Sequence, residues 1–242
     1  MARENALGGD QKHVNQATKT YRQIQFEAPS GSTEVLLVRH GESEAADLTR
    51  PVPLVDGRGD FALAEIGREQ AVLIADYLEG TRIDAIYVTN LRRTAETAAP
   101  LAARLGLEPQ VEPALAEVHM GEWDAGVYRE RVAAGDPRAP RIFEEERWDV
   151  IPGAESNAAI AARVGPAMKR IAGRHADERV VCFAHGGTIG AVLAIATGSR
   201  PFAFVGSDNG AISTLVVAGD RWILRGFNDR SHLEHHSSRL RS

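Results

Sequence analysis

The chain contains a single cysteine, Cys182, inside the apolar run Val180-Val181-Cys182-Phe183-Ala184. One thiol forms no intramolecular disulfide, so nothing demands an oxidising compartment. Its setting reads as a small buried strand residue rather than a reactive thiol. Lysine is nearly absent too, with only Lys12, Lys19 and Lys169. The basic side chains are therefore almost all arginines, whose planar forks suit oxyanions. There is no excess of positive charge: the net charge is −5. No global basic field gathers nucleic acid or an anionic membrane, so an anionic substrate must be captured by arginines placed locally. No run approaches the roughly 18 apolar residues of a membrane span. The first thirty residues include Glu4, Asp10, Lys12 and Lys19 and have no apolar core of the kind a secretory signal needs. The expectation is a soluble, cytoplasmic protein without nucleic-acid or membrane partners.

What is present organises itself from Glu34 onward. Residues 1–32 are polar, end in Ala28-Pro29-Ser30-Gly31-Ser32, and are expected to be a flexible extension with a short strand at Tyr21–Phe26. Val35–Val38, Ala85–Val88 and Val180–Ala184 are short apolar runs of strand type. Glu65–Leu78, Leu91–Leu105, Asn157–Ile171 and Thr188–Ala196 have helical spacing, the second closing at Gly106. Ala211–Val217 and Trp222–Arg225, separated by Gly219-Asp220, predict a hairpin. Strands alternating with helices predict a three-layer α/β/α domain, with a largely parallel central sheet and helices on both faces. Residues 33–235 form this domain, a charged helical insertion at about 123–150 covers a sheet edge, and 236–242 are a tail.

In such sheets the site lies beyond the carboxyl ends of the strands. Two histidine segments sit there: Arg39-His40-Gly41-Glu42-Ser43 after the first strand and His185-Gly186-Gly187 after the third. Between them come Asn90-Leu91-Arg92-Arg93-Thr94, Leu115-Ala116-Glu117-Val118-His119 and Pro152-Gly153-Ala154-Glu155-Ser156. Later segments are Asn209-Gly210-Ala211-Ile212-Ser213 and Asn228-Asp229-Arg230-Ser231-His232-Leu233. In this order, from about Glu34 to Leu233, the chain resembles the histidine phosphatase superfamily, which includes phosphoglycerate mutases and related phosphatases. The resemblance implies the phosphoglycerate mutase-like fold.

It also implies a nucleophile at His40, phosphate-pocket arginines at Arg39 and Arg93, a second histidine at His185 and an acid at Glu117. Ser43 and Gly186 join Arg39 and Arg93 as substrate-binding residues. Such a set suits phosphoryl transfer, which depends on positioning and on neutralising charge over three equatorial oxygens. A neutral imidazole attacks and forms a phosphohistidine, dividing hydrolysis into two displacements. A carboxyl group protonates the leaving alkoxide, and a bound phosphate dianion beside it favours the protonated form. Arg92 is read as a surface charge, Glu122 as a structural neighbour of the acid, and His119 as structural. Trp123, Trp148 and Trp222 are read as packing residues and Glu144–Glu146 as a solvated helix face.

Two departures from the family pattern bear on the substrate rim. Ala46 stands where the family often has asparagine, and Asp60-Phe61-Ala62-Leu63-Ala64 lacks the usual proline and threonine. Two histidines and a glutamate also make a zinc set, but Arg39 and Arg93 beside them oppose a divalent cation. Neither metal nor cofactor is expected. The reading is a metal-independent phosphomonoester hydrolase acting on a small phosphorylated metabolite. Mutase-type phosphoryl transfer, phosphoprotein dephosphorylation and a non-catalytic phosphate-binding relative stand as alternatives. The short stretch between Glu117 and Pro152 favours the phosphatase over the mutase. A homodimer is compatible with the sequence, which leaves oligomeric state open.

Overall fold

The structure is a computed structural model that describes residues 22–234. Its centre is a six-stranded sheet built from β1 (Thr33–Arg39), β4 (Ala85–Val88), β5 (Gln110–Val111), β6 (Arg179–Ala184), β7 (Ile212–Ala218) and β8 (Arg221–Asp229). The order is β5-β4-β6-β1-β7-β8. The first four are mutually parallel, whereas β7 and β8 run antiparallel as the hairpin at the β1 edge. A separate two-stranded ribbon pairs β2 (Leu54–Val55) with β3 (Arg58–Gly59).

The alternation of side chains along a strand divides the core into two layers. On one face Val35, Leu37, Val180 and Cys182 meet Ile160, Val164 and Met168 of α5 (Asn157–Arg174) and Ile189 and Val192 of α6 (Gly186–Thr197). On the other, Leu36, Val38, Ile86, Val181 and Phe183 meet Ile74 and Leu78 and the buried face of α2 (Arg92–Leu105). Ile74 belongs to α1 (Glu65–Tyr77), whose last turn Leu78 closes. Each fully buried leucine or isoleucine in these layers contributes about 2 kcal/mol relative to leaving it in water. This is the α/β/α sandwich that the sequence predicts.

Cys182 is wholly buried, and burial pushes its thiol well above the ordinary range. The helix α2 ends at Gly106 in the left-handed region, φ 65°. The buried stripe of α1 is Gly67, Ala71, Ile74 and Ala75, and Ile66, outside that stripe, points to solvent. Small residues occupy that stripe because α1 passes close to the loop after β1. A Cβ added at Gly41 would lie 2.4 Å from the Gly67 carbonyl oxygen, and one at Gly67 would lie 2.0 Å from that of Glu42. Both positions require glycine for this approach.

No strand forms among residues 22–26, where Ile24 is 99% exposed and no sheet edge pairs with it. The rest of that expected strand, Tyr21, and most of the expected extension and the tail lie outside the described residues. The segment that follows β5 contains α3 (Val127–Ala133), α4 (Arg138–Glu144) and short 3-10 turns at Gly121–Trp123 and Trp148–Val150. Trp123, Ile142 and Trp148 anchor it in the α5–α6 core layer. Among the described residues, no helix is long and apolar enough to cross a membrane.

Candidate active site

Parallel pairing of β1 with β6 puts Arg39 opposite Ala184, so the next residues, His40 and His185, emerge side by side. Their ring centroids are 5.1 Å apart, and the His40 amide donates to the Ala184 carbonyl at 3.0 Å. The protein fixes the tautomer of His40. Its Nδ1 lies 2.6 Å from the Gly41 carbonyl oxygen, which only accepts, so Nδ1 carries the proton and Nε2 presents a lone pair. The Arg93 Nε donates to that Nε2 at 3.1 Å. Burial, followed by the charges of Arg93 and Arg39, holds the His40 pKa well below its ordinary value. His185, fully buried, is held low by burial and then by Arg93. Its Nε2 meets the Thr89 hydroxyl at 3.0 Å. Both imidazoles are therefore neutral at neutral pH.

Arg93, in the first turn of α2, is buried and donates through Nη1 to the Gly59 carbonyl at 2.9 Å. Arg39 at the end of β1 donates to the Ser207 carbonyl. Neither arginine has a carboxylate within ion-pair distance among the described residues, and burial lowers the Arg93 pKa. Among the described residues, two buried polar atoms beside the site have no partner: Arg39 Nε and His185 Nδ1. Buried donors without partners are costly, and an oxyanion at this place would satisfy them. Arg92, one residue away, is exposed on the other side of α2, its amide bonded to Asp60 and its side chain beside Glu96.

Glu117 reaches the same cavity from the segment after β5. Its carboxylate accepts from the Val118 amide at 2.9 Å and from the Thr188 and Gly187 amides at 3.3 and 3.4 Å. The amides of Gly187 and Thr188 are thus used by the acid, while Gly186 lines the cavity beside Arg39. Glu122 is exposed and does not line the cavity. His119 accepts from the Gly121 amide at 3.2 Å and does not line the cavity either. Ser43 does, and its hydroxyl accepts from Arg129 Nη2 at 2.7 Å.

Two supporting networks hold these groups. Asn209 Nδ2 donates to the His40 carbonyl at 2.9 Å, and the Gly210 amide donates to that of Arg39 at 3.0 Å. The His232 Nε2 in turn meets the Gly210 carbonyl at 3.0 Å. Behind the acid, the Glu117 carbonyl accepts from Arg58 and Arg163, and both arginines pair with Glu155. The asparagine, His232 and Glu155 fall within motif segments that the sequence displays, although their contacts span long separations.

The cavity measures about 1220 Å³ and also exposes Tyr128, Phe143 and Arg129 of the insertion. Nothing in the sequence singles out Arg129, because one arginine in a charged segment carries no periodic or motif signal. Of the two departures, Ala64 caps α1 without a side-chain hydrogen bond, and Ala46 lies against Gly126 at the start of α3.

The family model described as histidine phosphatase superfamily (branch 1) matches residues 35–230. A metal-independent phosphoserine phosphatase of Arabidopsis thaliana is 33% identical over 206 residues, 83% of each chain. A glucosyl-3-phosphoglycerate phosphatase of Mycobacterium tuberculosis is 32% identical over 168 residues, covering 66% of this chain and 73% of that one. The native structure of the mycobacterial glucosyl-3-phosphoglycerate phosphatase superposes with a TM-score of 0.68 at 29% identity, covering 81% of this chain and 98% of that one.

Proposed function

The chain belongs to the histidine phosphatase superfamily, branch 1, and we propose that it hydrolyses small phosphorylated metabolites through a phosphohistidine at His40. The relatives named as phosphoserine phosphatase and glucosyl-3-phosphoglycerate phosphatase support a small metabolite as substrate. One observation carries the assignment of His40. Its proton is committed to the Gly41 carbonyl, which leaves Nε2 neutral beside two arginines without carboxylate partners.

The phosphoryl group of a bound monoester sits between Arg39, Arg93 and His185, which share its equatorial oxygens as charge spreads over them. Arg39 Nε finds there the acceptor it lacks. With the Thr89 hydroxyl donating to its Nε2, His185 keeps its proton on Nδ1 and offers it to the phosphoryl group. His40 Nε2 attacks phosphorus, the ester P–O bond breaks, and the protonated Glu117 carboxyl delivers its proton to the departing oxygen. In the second displacement Glu117 takes a proton from water. The water oxygen attacks phosphorus, the P–N bond breaks, and inorganic phosphate leaves with His40 neutral again. No step requires a metal. The single cysteine, buried as a free thiol, fits a cytoplasmic location.

The test is hydrolysis of an aryl phosphate by wild type and His40→Ala, with EDTA present throughout. Wild type turns over and the variant falls by about a thousandfold or more. An acid-labile phosphoryl adduct forms on wild type alone. Comparable turnover by His40→Ala sinks the assignment.

A further inference from the structure

Three backbone amides converge on the carboxylate of Asp124, which lines the catalytic cavity. Its Oδ1 accepts from the Gly59 amide at 2.9 Å and from the Ala125 amide at 3.0 Å. Its Oδ2 accepts from the Met120 amide at 2.8 Å. Two of these donors are local, flanking the short turn at Gly121–Trp123. The third, Gly59, ends the β2–β3 ribbon and lies 65 positions away in the chain.

Ribbon and turn are in backbone contact at this point, since a Cβ added to Gly59 would lie 3.0 Å from the Ala125 Cα. Ala125 has a φ of 55°, in the left-handed region that residues other than glycine seldom enter. Such a conformation persists only where its surroundings fix it. Asp124 does so here by accepting the Ala125 amide. The same carboxylate ties down β3, a strand of two residues that is too short to hold its own position.

What Gly59 does with its other polar group connects this tie to the chemistry. Its carbonyl accepts from Arg93 Nη1 at 2.9 Å, and Arg93 Nε donates to His40 Nε2 at 3.1 Å. A chain of hydrogen bonds thus runs from Asp124 through Gly59 and Arg93 to the nucleophile. Gly59 has no side chain to anchor it, so the place of its carbonyl depends on what holds its amide. A carboxylate bonded directly to Arg93 would compete with the phosphoryl group for the guanidinium. Acting one residue away, Asp124 fixes the fork without occupying it. Burial lowers the Arg93 pKa, and the charge of Asp124 opposes this less than those of Glu117 and Asp60 do.

We propose that Asp124 is a positioning residue for phosphoryl transfer, which through Gly59 sets the place of the Arg93 guanidinium against His40 and the phosphoryl group. This rests on the phosphatase reading above. Its removal is then felt at the phosphoryl group rather than at the leaving group, and only while Arg93 is present.

The experiment is a double-mutant cycle of wild type, Asp124→Ala, Arg93→Met and the double variant. It reads kcat/KM for 4-nitrophenyl phosphate and for glycerol 3-phosphate. Asp124→Ala lowers kcat/KM about thirtyfold on both esters, the scale of a guanidinium displaced by a fraction of an ångström to 1 Å. In the Arg93→Met background the same substitution costs about threefold or less. Asp124→Asn keeps an oxygen for the Gly59 and Ala125 amides and loses less than Asp124→Ala. An equal cost in both backgrounds overturns the proposal, because Asp124 would then serve the fold alone. A loss confined to one ester overturns it as well, as does an Asp124→Ala variant with wild-type rates. If wild type turns over neither ester, the phosphatase reading falls, and the cycle is read instead on inorganic phosphate affinity by calorimetry. A loss of affinity in Asp124→Ala that disappears with Arg93→Met upholds the positioning role. Equal losses in both backgrounds, or no binding of phosphate by wild type, overturn it. Should Asp124→Ala fail to fold, Asp124→Asn in both Arg93 backgrounds decides on the same criteria.

Discussion

The two neutral histidines make the stability of the fold fall when the solution is acidified. In the native chain His40 and His185 have pKa values held well below the ordinary 6.5 by burial and by the arginines beside them. Unfolding returns both to the ordinary value. Between the two values the unfolded chain binds protons that the native chain refuses, so stability is complete above pH 6.5 and declines as the pH drops below it. At pH 5.5 an unfolded imidazole is about nine-tenths protonated, which favours the unfolded state by about 1.4 kcal/mol per group. Two such groups give about 3 kcal/mol, a large part of a typical stability of roughly 5–15 kcal/mol. His232, whose pKa burial also lowers, adds a smaller amount in the same direction.

Urea denaturation in phosphate-free buffer at pH 7.5, 6.5 and 5.5 measures this, followed by the fluorescence of the buried Trp123 and Trp148. The carboxylates that folding holds below their ordinary values, such as Asp136 and Glu155, are ionised in both states over this range and contribute little. The double variant His40→Asn/His185→Asn starts from a different stability, but its loss between pH 7.5 and 5.5 drops to about 1 kcal/mol or less. A variant that loses as much as wild type refutes the assignment of the pH dependence to these two imidazoles. So does a wild type whose stability is flat from pH 7.5 to 5.5.

Glu117→Gln loses turnover according to the leaving group. An alkyl phosphate, whose alkoxide needs a proton, slows by about a hundredfold or more, whereas the first step with 4-nitrophenyl phosphate slows far less. Rapid-quench measurement of the first product checks this, and equal slowing of both esters counts against the acid role. At the N-terminus of α1, Ala64 has extended φ and ψ of −68° and 169° and offers no side-chain cap. Ala64→Ser supplies an oxygen for the free amides of the first turn and stabilises the protein by about 1 kcal/mol. Urea denaturation reads the change, and no gain would mean that the packing of Gly67 against Glu42 already excludes the cap.

Much of this architecture is legible in the sequence because its strands are fully buried and therefore read as continuous apolar runs. Val35–Val38, Ala85–Val88 and Val180–Ala184 become β1, β4 and β6, and the abrupt polar break after each marks its carboxyl end. That is why His40 and His185 could be named together without knowing that β1 and β6 are neighbours. The two-residue strands β2, β3 and β5 leave no pattern to read, being too short for alternation to show. The seat of Glu117 on the amides of Gly187 and Thr188 joins residues about seventy positions apart, and nothing local announces it. The exposure of Ile66 is a tertiary effect, since the close passage of Gly67 against Glu42 rotates α1 away from its own apolar spacing. Arg129 was invisible for a related reason: its place depends on Ala46 and Gly126 being small together.

The way the arginines are held decides what the cavity can bind. Most arginines of this protein lie beside carboxylates, as Arg163 does with Glu155 and Arg230 with Asp208. Arg39, Arg93 and Arg129 are instead fixed by the Ser207, Gly59 and Glu44 carbonyls, and Arg129 also by the Ser43 hydroxyl. A carboxylate would hold each guanidinium equally well but would cancel its charge and compete with the substrate for the same donors. A carbonyl orients the fork and leaves its charge in place. The cavity therefore carries uncompensated positive charge, and the same charge keeps His40 neutral. A phosphoryl dianion relieves the mutual repulsion of the arginines at the place where a neutral imidazole nitrogen waits for it. Affinity for the anion and readiness of the nucleophile thus have one source, arranged before the substrate binds.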